Sequence, residues 1–137
     1  MAYDDQNIFA RILRGELPAF KVYEDEQVLA FMDVMPQAEG HTLVIPKTPA
    51  VTLLDLDPEA AAYTIQIVQK VAKAIEKALD VKGIVLMQLS GAAAGQTVPH
   101  VHFHLIPTSV HELGKHAAKM GDMEQIKAIG EKIKAAL

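Results

Sequence analysis

The chain has 137 residues, half of them hydrophobic, so it can bury a core and is too apolar to be intrinsically disordered. Its formal net charge of −4 excludes the strongly basic surface that binds long nucleic acids, although a mononucleotide needs only a local anion site. The chain has no cysteine, which excludes disulfides and thiolate metal sites. Its acidic N-terminus and the lack of any long apolar run lead us to expect a cytoplasmic protein without a membrane segment.

The first predicted elements are a short helix and three strands. The helix covers residues 7–14, with Asn7 as its N-cap and Gly15 after its end, and its apolar side carries Ile8, Phe9, Ile12 and Leu13. Apolar segments bounded by turn residues predict strands over residues 20–23, 27–33 and 41–45. Pro46 limits the extension of the third strand.

A long helix opens the second half of the chain. Asp57 is a good N-cap, and Pro58 suits the first helical position. Three- and four-residue spacing predicts an apolar face at Ile65, Val68, Ala72, Ile75 and Leu79. Strands follow over residues 84–89 and 100–106, and the first is apolar enough for a central or interface position. A capping-box pattern at residues 122–125 starts a final helix whose apolar face carries Met123, Ile126, Ile129 and Ile133.

Histidines at alternate positions are the clearest chemical feature of the sequence. On a strand, alternate side chains share a face, so His100, His102 and His104 are expected on one face. The opposite face carries Val101, Phe103 and Leu105. A single histidine in a strand is most often structural, but burying three without partners is costly. Two more histidines, His111 and His116, lie in a polar stretch and are expected at the surface.

A metal site is one alternative for this row of histidines. The outer pair is roughly 13 Å apart on a strand, while a zinc–nitrogen bond is about 2 Å long. All three therefore cannot comfortably bind one ion, although two neighbours with a ligand from elsewhere remain possible.

In a second interpretation all three histidines have a role, one as a nucleophile and two as its supporting residues. In this interpretation His102 attacks phosphorus through one ring nitrogen, and the other nitrogen donates a hydrogen bond that fixes the tautomer. The flanking histidines bind phosphate oxygens or the neighbouring ring. The small-residue loop at residues 91–95 and the backbone N–H groups near Thr97 and Val98 suit the binding of phosphoryl charge.

The residues around the three histidines resemble those of a known family. The sequence Gly-Gln-Thr-Val at residues 95–98, followed by His100-x-His102-x-His104, resembles the motif of the histidine triad family of nucleotide hydrolases and transferases. Segments at residues 8–12, 15–18, 22–25, 29–33 and 40–47 resemble the N-terminal half of that family in order and spacing. The resemblance covers about residues 7–107.

This resemblance implies an α+β fold, with a five-stranded, mostly antiparallel sheet, one long central helix and shorter terminal helices. We expect a single domain over residues 1–137, with its core at about 7–107 and a C-terminal helical extension at about 108–137. Members of the family form homodimers whose sheets join, so a homodimer is expected. The extension packs either on a partner subunit or at the mouth of the substrate site, and the sequence leaves both open.

The implied activity is hydrolysis of purine nucleotides such as phosphoramidates of AMP or GMP. By this resemblance His102 attacks the α-phosphorus and expels the amine, and water then hydrolyses the covalent nucleotidyl-histidine. His100 and His104 orient His102 and contact phosphate oxygens. No metal and no cofactor are expected, because donors already in place hold the charge.

Further positions match the nucleotide site of the family. Asp33 matches the carboxylate that binds the ribose hydroxyls, and a carboxylate suits a vicinal diol because it accepts two hydrogen bonds. His41 matches a histidine near the triad. The base pocket is expected at Ile8, Phe9, Ile12, Leu17 and Val34. The α-phosphate is expected at Gln96, Thr97 and the Val98 backbone.

Three positions depart from the family pattern. Leu89 stands where Asn or Gln commonly reaches toward the phosphate, so either Ser90 substitutes for that amide or the rate falls. Thr108 replaces an arginine of many bacterial members, and Ala10 replaces a cysteine of the structural zinc site that some members have. Two alternatives therefore remain: a dinucleoside polyphosphate hydrolase or nucleotidyl transferase of the same family, and a nucleotide-binding adaptor with little catalysis.

Overall fold

The computed structural model describes residues 2–113 and 120–137, which form one antiparallel sheet covered by helices. In chain order the elements are α1 (Ile8–Leu13), β1 (Lys21–Glu24), β2 (Val28–Met32), β3 (Thr42–Pro46), α2 (Pro58–Leu79), β4 (Val85–Met87), β5 (Phe103–Ile106) and α3 (Met123–Ala135). The five strands lie in the order β1-β2-β3-β5-β4, and every neighbouring pair is antiparallel. The predicted α+β fold with a five-stranded sheet is confirmed.

Both faces of the inner strands β2 and β3 are buried. On one face, residues of β2, β3 and β5 pack with α2 and α3 in the larger core. On the other face, α1 packs through Phe9 and Ile12 on residues of β2 and β3. All five residues of β2 and all five of β3 are therefore buried, which explains why these strands are continuous apolar runs rather than alternating ones.

Helix α2 begins where the sequence predicts and buries most of the predicted face. Asp57 caps it by accepting from the Ala60 N–H, and Pro58 is its first residue. Of the predicted face, Val68 and Ile75 are buried and Ala72 and Leu79 pack against the larger core, but the prediction is wrong at Ile65, which is 43% exposed. The buried residues of this helix also include Thr64, Ile67, Val71 and Ala74. The Thr64 hydroxyl donates to the Ala60 carbonyl at 2.7 Å, so a polar side chain can lie within this face.

The last two strands are markedly shorter than predicted. Strand β4 covers Val85–Met87 and lies at an edge of the sheet, so the predicted central position is wrong and the interface position stays a prediction. Strand β5 begins only at Phe103, because the chain before it leaves the ladder and the Val101 N–H donates to the Ala50 carbonyl. The predicted alternation still holds, since the apolar set of Val101, Phe103 and Leu105 packs in the larger core.

The C-terminal helix belongs to the core of its own chain. Ile126, Ile129 and Ile133 are buried, and α3 packs on α2, β1 and β2. Asp122 caps α3, but the Gln125 amide donates to the Glu39 carboxylate at 3.0 Å instead of closing the predicted capping box. The extension therefore packs on its own chain, including the loop at residues 33–41, and its contact with a partner subunit stays a prediction.

A glycine fixes the loop at residues 33–41 against the rest of the molecule. Gly40 has φ +89°, and a Cβ at this position would collide with Leu79 and lie 3.1 Å from Pro107. The loop can therefore pack closely between the end of α2 and the residue that follows β5. This packing positions Asp33 and His41, which stand at the two ends of the loop.

Two remaining expectations concern the surface. His111 is exposed as predicted, while His116 lies outside the described residues. None of the helices within residues 2–113 and 120–137 combines the length and apolar character that a bilayer-spanning segment requires.

Candidate active site

A cavity of about 720 Å³ lies on the α1 side of the sheet. Its volume is in the range of pockets that bind small molecules. Its walls come from α1, the inner parts of β2 and β3, the loop that follows β2, and the chain between residues 87 and 104. Ten of the predicted site residues line it: Ile8, Phe9, Ile12, Leu17, Asp33, Val34, Thr97, Val98, His102 and His104.

His102 is held in one tautomer. Its Nδ1 lies 2.7 Å from the His100 carbonyl oxygen, which can only accept, so Nδ1 carries the proton and donates. In the neutral ring Nε2 then has a free lone pair. The Phe9 ring packs edge-on against the imidazole, with centroids 4.9 Å apart, and burial lowers the pKa of His102. The arrangement thus presents an unprotonated nitrogen on a residue that lines the cavity.

A second hydrogen-bonded chain fixes His104. The Gln37 backbone N–H donates to His41 Nδ1 at 3.0 Å, so the proton of neutral His41 is on Nε2. That Nε2 lies 2.9 Å from His104 Nδ1 and 3.3 Å from Asp33 Oδ2. His104 Nδ1 therefore accepts, and His104 Nε2 carries a proton. His104 is consequently a hydrogen-bond donor at the cavity, while His41 lies behind it.

His100 is placed differently from the expectation that it contacts phosphate. Its Nε2 donates to the Pro46 carbonyl at 2.8 Å, and its Nδ1 lies 2.6 Å from the Tyr3 hydroxyl. The side chain is fully buried and does not line the cavity. Because both ring nitrogens have partners, the expected phosphate contact is wrong for this arrangement. The part of His100 that faces the site is its carbonyl group, which holds His102.

Gln96 also has a different place from the one expected. Its side-chain oxygen accepts from the Gly91 N–H at 2.8 Å, and its amide nitrogen donates to the carbonyls of Val51 and Val98. Gln96 is not among the residues that line the cavity. The side chain thus fastens the loop at residues 91–98, so the expectation that it binds the α-phosphate directly is wrong in this structure.

Ser90 does not take the place of the missing amide at position 89. Its hydroxyl donates to the Gln88 side-chain oxygen at 3.0 Å, and Ser90 lies outside the cavity lining. Leu89 itself lines the cavity, and its Cδ1 lies 3.5 Å from where a Cβ on Gly95 would be. The expected contact of Ser90 with the nucleotide is therefore wrong, and an apolar side chain occupies this wall.

Asp33 is the charged group of the cavity among the described lining residues. Its side chain is 19% exposed, and one oxygen accepts from the Met35 N–H at 2.8 Å. Burial raises the pKa of Asp33, and the Met35 N–H and the nearby His104 and His102 oppose that rise. A partly buried carboxylate with acceptor capacity left can bind hydroxyl groups of a ligand.

Three of these groups have the composition of a metal site. Ligand atoms of Asp33, His41 and His104 all lie within 4.8 Å of one another. The hydrogen bonds do not fit a metal, because His41 Nε2 must keep its proton while Nδ1 accepts from the Gln37 N–H. Binding an ion through Nε2 would turn Nδ1 into a donor facing another donor. The cluster is better described as a hydrogen-bonded chain.

Burial of neutral histidines makes the stability of the protein dependent on pH. Burial, followed by the nearby His102, lowers the pKa of both His41 and His104 from 6.5 to about 4. Between pH 4 and pH 6.5 the unfolded chain binds more protons than the folded chain. The contribution of these two histidines to the free energy of unfolding is therefore fully present above pH 6.5 and is lost as the pH falls toward 4. Urea unfolding across this pH range should show the free energy of unfolding falling as the pH falls. The variant His41→Gln should show a smaller fall. The raised pKa of Asp33 has the opposite effect, because a carboxyl with a raised pKa stabilises the folded chain as the pH falls. A free energy of unfolding that stays constant across this range would contradict the prediction.

Several lining residues were not predicted as site residues. They are Pro18, Ala19, Phe31, Met32, Met35, Gln37, Leu43, Met87 and Gly95. Phe31 and Leu43 could have been found from strand alternation, because they share a face with Leu29 and Ile45, opposite the larger core. For Met35 and Met87, no local pattern distinguishes a cavity wall from ordinary packing.

Comparisons with known proteins agree with this geometry. A sequence model of the HIT domain matches residues 14–111. The crystal structure of a HIT-like protein from Bartonella henselae, described as involved in cell-cycle regulation and solved with an unknown ligand, has a TM-score of 0.92 and 49% identity over 100% of both chains. An adenosine 5′-monophosphoramidase of Schizosaccharomyces pombe is 38% identical over 133 residues, which cover 95% of this chain and 97% of that protein.

A third relative shows how far the family extends. An adenylylsulfatase of Arabidopsis thaliana is 40% identical over 100 residues, which cover 73% of this chain and 51% of that longer protein. The matched family model, the relatives and the fold agree with one another. Together they show that the chain belongs to the histidine triad (HIT) family and is a hydrolase of that family.

Proposed function

We propose that this hydrolase cleaves purine nucleoside phosphoramidates, with AMP or GMP bonded to an amine as the substrate, through a covalent nucleotidyl-histidine. The observation that carries the proposal is the hydrogen bond of His102 Nδ1 to the His100 carbonyl, which leaves Nε2 unprotonated. The relative from Schizosaccharomyces pombe, named as an adenosine 5′-monophosphoramidase, supports the same substrate class.

The proposed reaction has two displacements at phosphorus. The lone pair of His102 Nε2 attacks the α-phosphorus, the phosphorus–nitrogen bond breaks, and the amine leaves with the electron pair and takes a proton from solvent. The resulting nucleotidyl-imidazole is positively charged, and the His100 carbonyl stabilises it by accepting from Nδ1–H. Water then attacks the same phosphorus and gives up a proton to solvent, the phosphorus–Nε2 bond breaks with its electron pair returning to the ring, and AMP leaves neutral His102 behind.

Other groups of the cavity are proposed to bind the nucleotide. The apolar wall of α1, with Phe9 and Ile12, would contact the base, and Asp33 would accept from the two ribose hydroxyls. His104 Nε2–H and the backbone N–H groups near Thr97 would donate to the phosphate oxygens. These roles agree with the position of each residue along the cavity wall.

The charge of the cavity favours an amine over an anionic leaving group. Among the residues in the described ranges that line the cavity, none is lysine or arginine, while Asp33 contributes a carboxylate. A polyphosphate leaving group would carry several negative charges into this surrounding. The dinucleoside polyphosphate alternative is therefore less well supported than the phosphoramidase.

A single-turnover experiment tests the proposal. The protein, in excess over the substrate, is mixed with an adenosine phosphoramidate or with a dinucleoside polyphosphate, quenched at short times, and examined by intact mass. An AMP adduct that forms and decays with the phosphoramidate supports the proposed reaction. Faster turnover of the polyphosphate would favour the second substrate class. No adduct and no product, with AMP still bound, would favour the adaptor.

A substitution at Leu89 tests whether the apolar side chain at this position of the cavity lowers the rate of catalysis. Leu89→Asn should restore an amide that can donate to the phosphate, and we expect kcat to rise by about tenfold, the effect of one hydrogen bond to a charged group. Leu89→Met is the matched control, because it keeps an apolar side chain of similar volume. Steady-state kinetics of the three proteins provide the measurement. An unchanged kcat in L89N would contradict the idea that Leu89 lowers the rate.

We propose further that the protein forms a homodimer through the edge of the sheet at β4. Leu86 on this edge strand is 47% exposed, and an unpaired edge with an apolar side chain suits pairing with a second copy. Light scattering should give a dimer for the wild type and a monomer for Leu86→Lys. Leu54→Lys is the control, since Leu54 is 80% exposed but lies in the loop before α2. A monomeric wild type would exclude this assembly.

A further inference from the structure

The segment that precedes α1 contacts the triad through one hydrogen bond. The Tyr3 hydroxyl lies 2.6 Å from His100 Nδ1, and the two rings meet edge-on with centroids 5.6 Å apart. Tyr3 is held there by its own segment, because Arg14 donates to the Asp5 carbonyl at 2.6 Å and Asn7 donates to the Asp4 carbonyl at 2.7 Å. The N-terminal segment is thus fastened to α1 and reaches a buried imidazole.

The partners of His100 fix the direction of this hydrogen bond. The Pro46 carbonyl can only accept, so His100 Nε2 carries the proton. Burial lowers the pKa of His100, so the ring is neutral near pH 7 and Nδ1 has a lone pair. The Tyr3 hydroxyl therefore donates to Nδ1. Without that hydroxyl, His100 Nδ1 would be a fully buried acceptor with no partner.

The orientation of His100 matters because its carbonyl holds His102. Strand β5 begins only at Phe103, so the carbonyl of His100 is outside the ladder that would otherwise orient it. The Val101 N–H, which donates to the Ala50 carbonyl, fixes one side of this peptide unit. The two bonds of the His100 ring fix the residue from the other side. The hydroxyl of Tyr3 provides one of these two bonds.

We propose that Tyr3 is a positioning residue for the nucleophile: by donating to His100 Nδ1 it holds the carbonyl that fixes the tautomer and direction of His102. The role rests on the proposed function of His102. It adds a residue from outside the triad to the chain of hydrogen bonds that prepares the attacking nitrogen. Tyr3 does not line the cavity, so it is expected to act on the chemical step and not on nucleotide binding.

The test uses the full chain with Tyr3→Phe, which keeps the aromatic ring and removes only the donor. We expect kcat for an adenosine phosphoramidate to fall by about tenfold, while KM changes by less than about twofold. Tyr63→Phe is the matched control, because the Tyr63 hydroxyl donates to Asp25 and neither residue lines the cavity. That variant should keep the wild-type kcat.

Nitrogen-15 NMR of the histidine rings gives a second readout that does not need turnover. In the wild type we expect an unprotonated Nδ1 on His100 and a hydrogen-bonded Nδ1–H on His102, and in Y3F both signals should shift. A merely structural contact of the tyrosine ring would leave both signals unchanged, because phenylalanine keeps the ring.

The possible outcomes separate this proposal from the proposed function. A lower kcat together with shifted ring signals supports the role of Tyr3. An unchanged kcat, or a change confined to KM, would overturn it. If the wild type hydrolyses no phosphoramidate, the proposed function fails, and the NMR comparison alone then decides whether Tyr3 sets the state of His100 and His102.

Discussion

Replacing His102 with alanine is expected to reduce turnover of an adenosine phosphoramidate by at least about four orders of magnitude, the size of effect seen when a covalent nucleophile is removed. The physical reason is that no other described group in the cavity presents an unprotonated nitrogen held in place. His104 Nδ1 accepts from His41, and both nitrogens of His100 have partners. The AMP adduct should disappear with the activity.

Binding provides the control for this variant. Asp33 and the apolar wall are unchanged in His102→Ala, so calorimetry should still detect AMP binding. His111→Ala is the matched histidine substitution, because His111 is exposed and does not line the cavity, and it should keep the wild-type rate. Near-normal turnover by His102→Ala would remove His102 as the nucleophile and with it the covalent reaction.

The second large effect is expected at Asp33. If its carboxylate accepts from both ribose hydroxyls, Asp33→Ala should lower kcat/KM by roughly 100-fold, since each hydrogen bond to a charged group contributes roughly 1.5–3 kcal/mol. The loss should lie mainly in KM, because these bonds form equally in the ground state and the transition state. Steady-state kinetics over a range of substrate concentrations separate the two parameters.

A substrate without the two ribose hydroxyls makes the test specific. The wild type should lose about as much kcat/KM with this substrate as Asp33→Ala loses with the normal one, and the variant should no longer distinguish the two substrates. Glu39→Ala controls for disturbance of the same loop, because Glu39 contacts Gln125 and does not line the cavity. Continued discrimination by the Asp33 variant would assign the ribose contact to another residue.

Two kinds of polar residue occur in the motif: those expected to touch a ligand, and those whose hydrogen bonds within the protein hold the loop in place. Gln96 and His100 are in the recognisable motif, and its presence alone suggests that both touch the phosphate. In the folded chain their polar atoms bond to Val51 and Pro46, which are near them only after the loop folds onto β3 and the chain before α2. A motif therefore indicates which residues are needed but does not separate those that touch a ligand from those that hold the loop.

The contrast between local and long-range interactions also explains which helix and strand predictions were wrong. The first turn of α2 was predictable, because capping by Asp57 and the fixed φ of Pro58 are local effects. Its buried face was predicted correctly except at Ile65, because apolar residues surround much of this helix and only packing against the sheet and α3 selects Thr64 and Ile67 over Ile65. The predicted strand is longer than β5 because alternation continues through residues 100–102, which are outside the ladder with β3.

The sequence by itself determined the fold class, the single face shared by His102 and His104, and half of the residues of the cavity wall. The shared face follows from periodicity, which is a property of the local backbone, while the residues of the cavity wall came from the resemblance to a known family. Only the tertiary structure decided the protonation of each histidine. Those states depend on Tyr3, Gln37 and Pro46, which are 97, 4 and 54 positions away from the rings they contact. Such partners act on a ring only once folding has buried it, because water otherwise satisfies both nitrogens equally well.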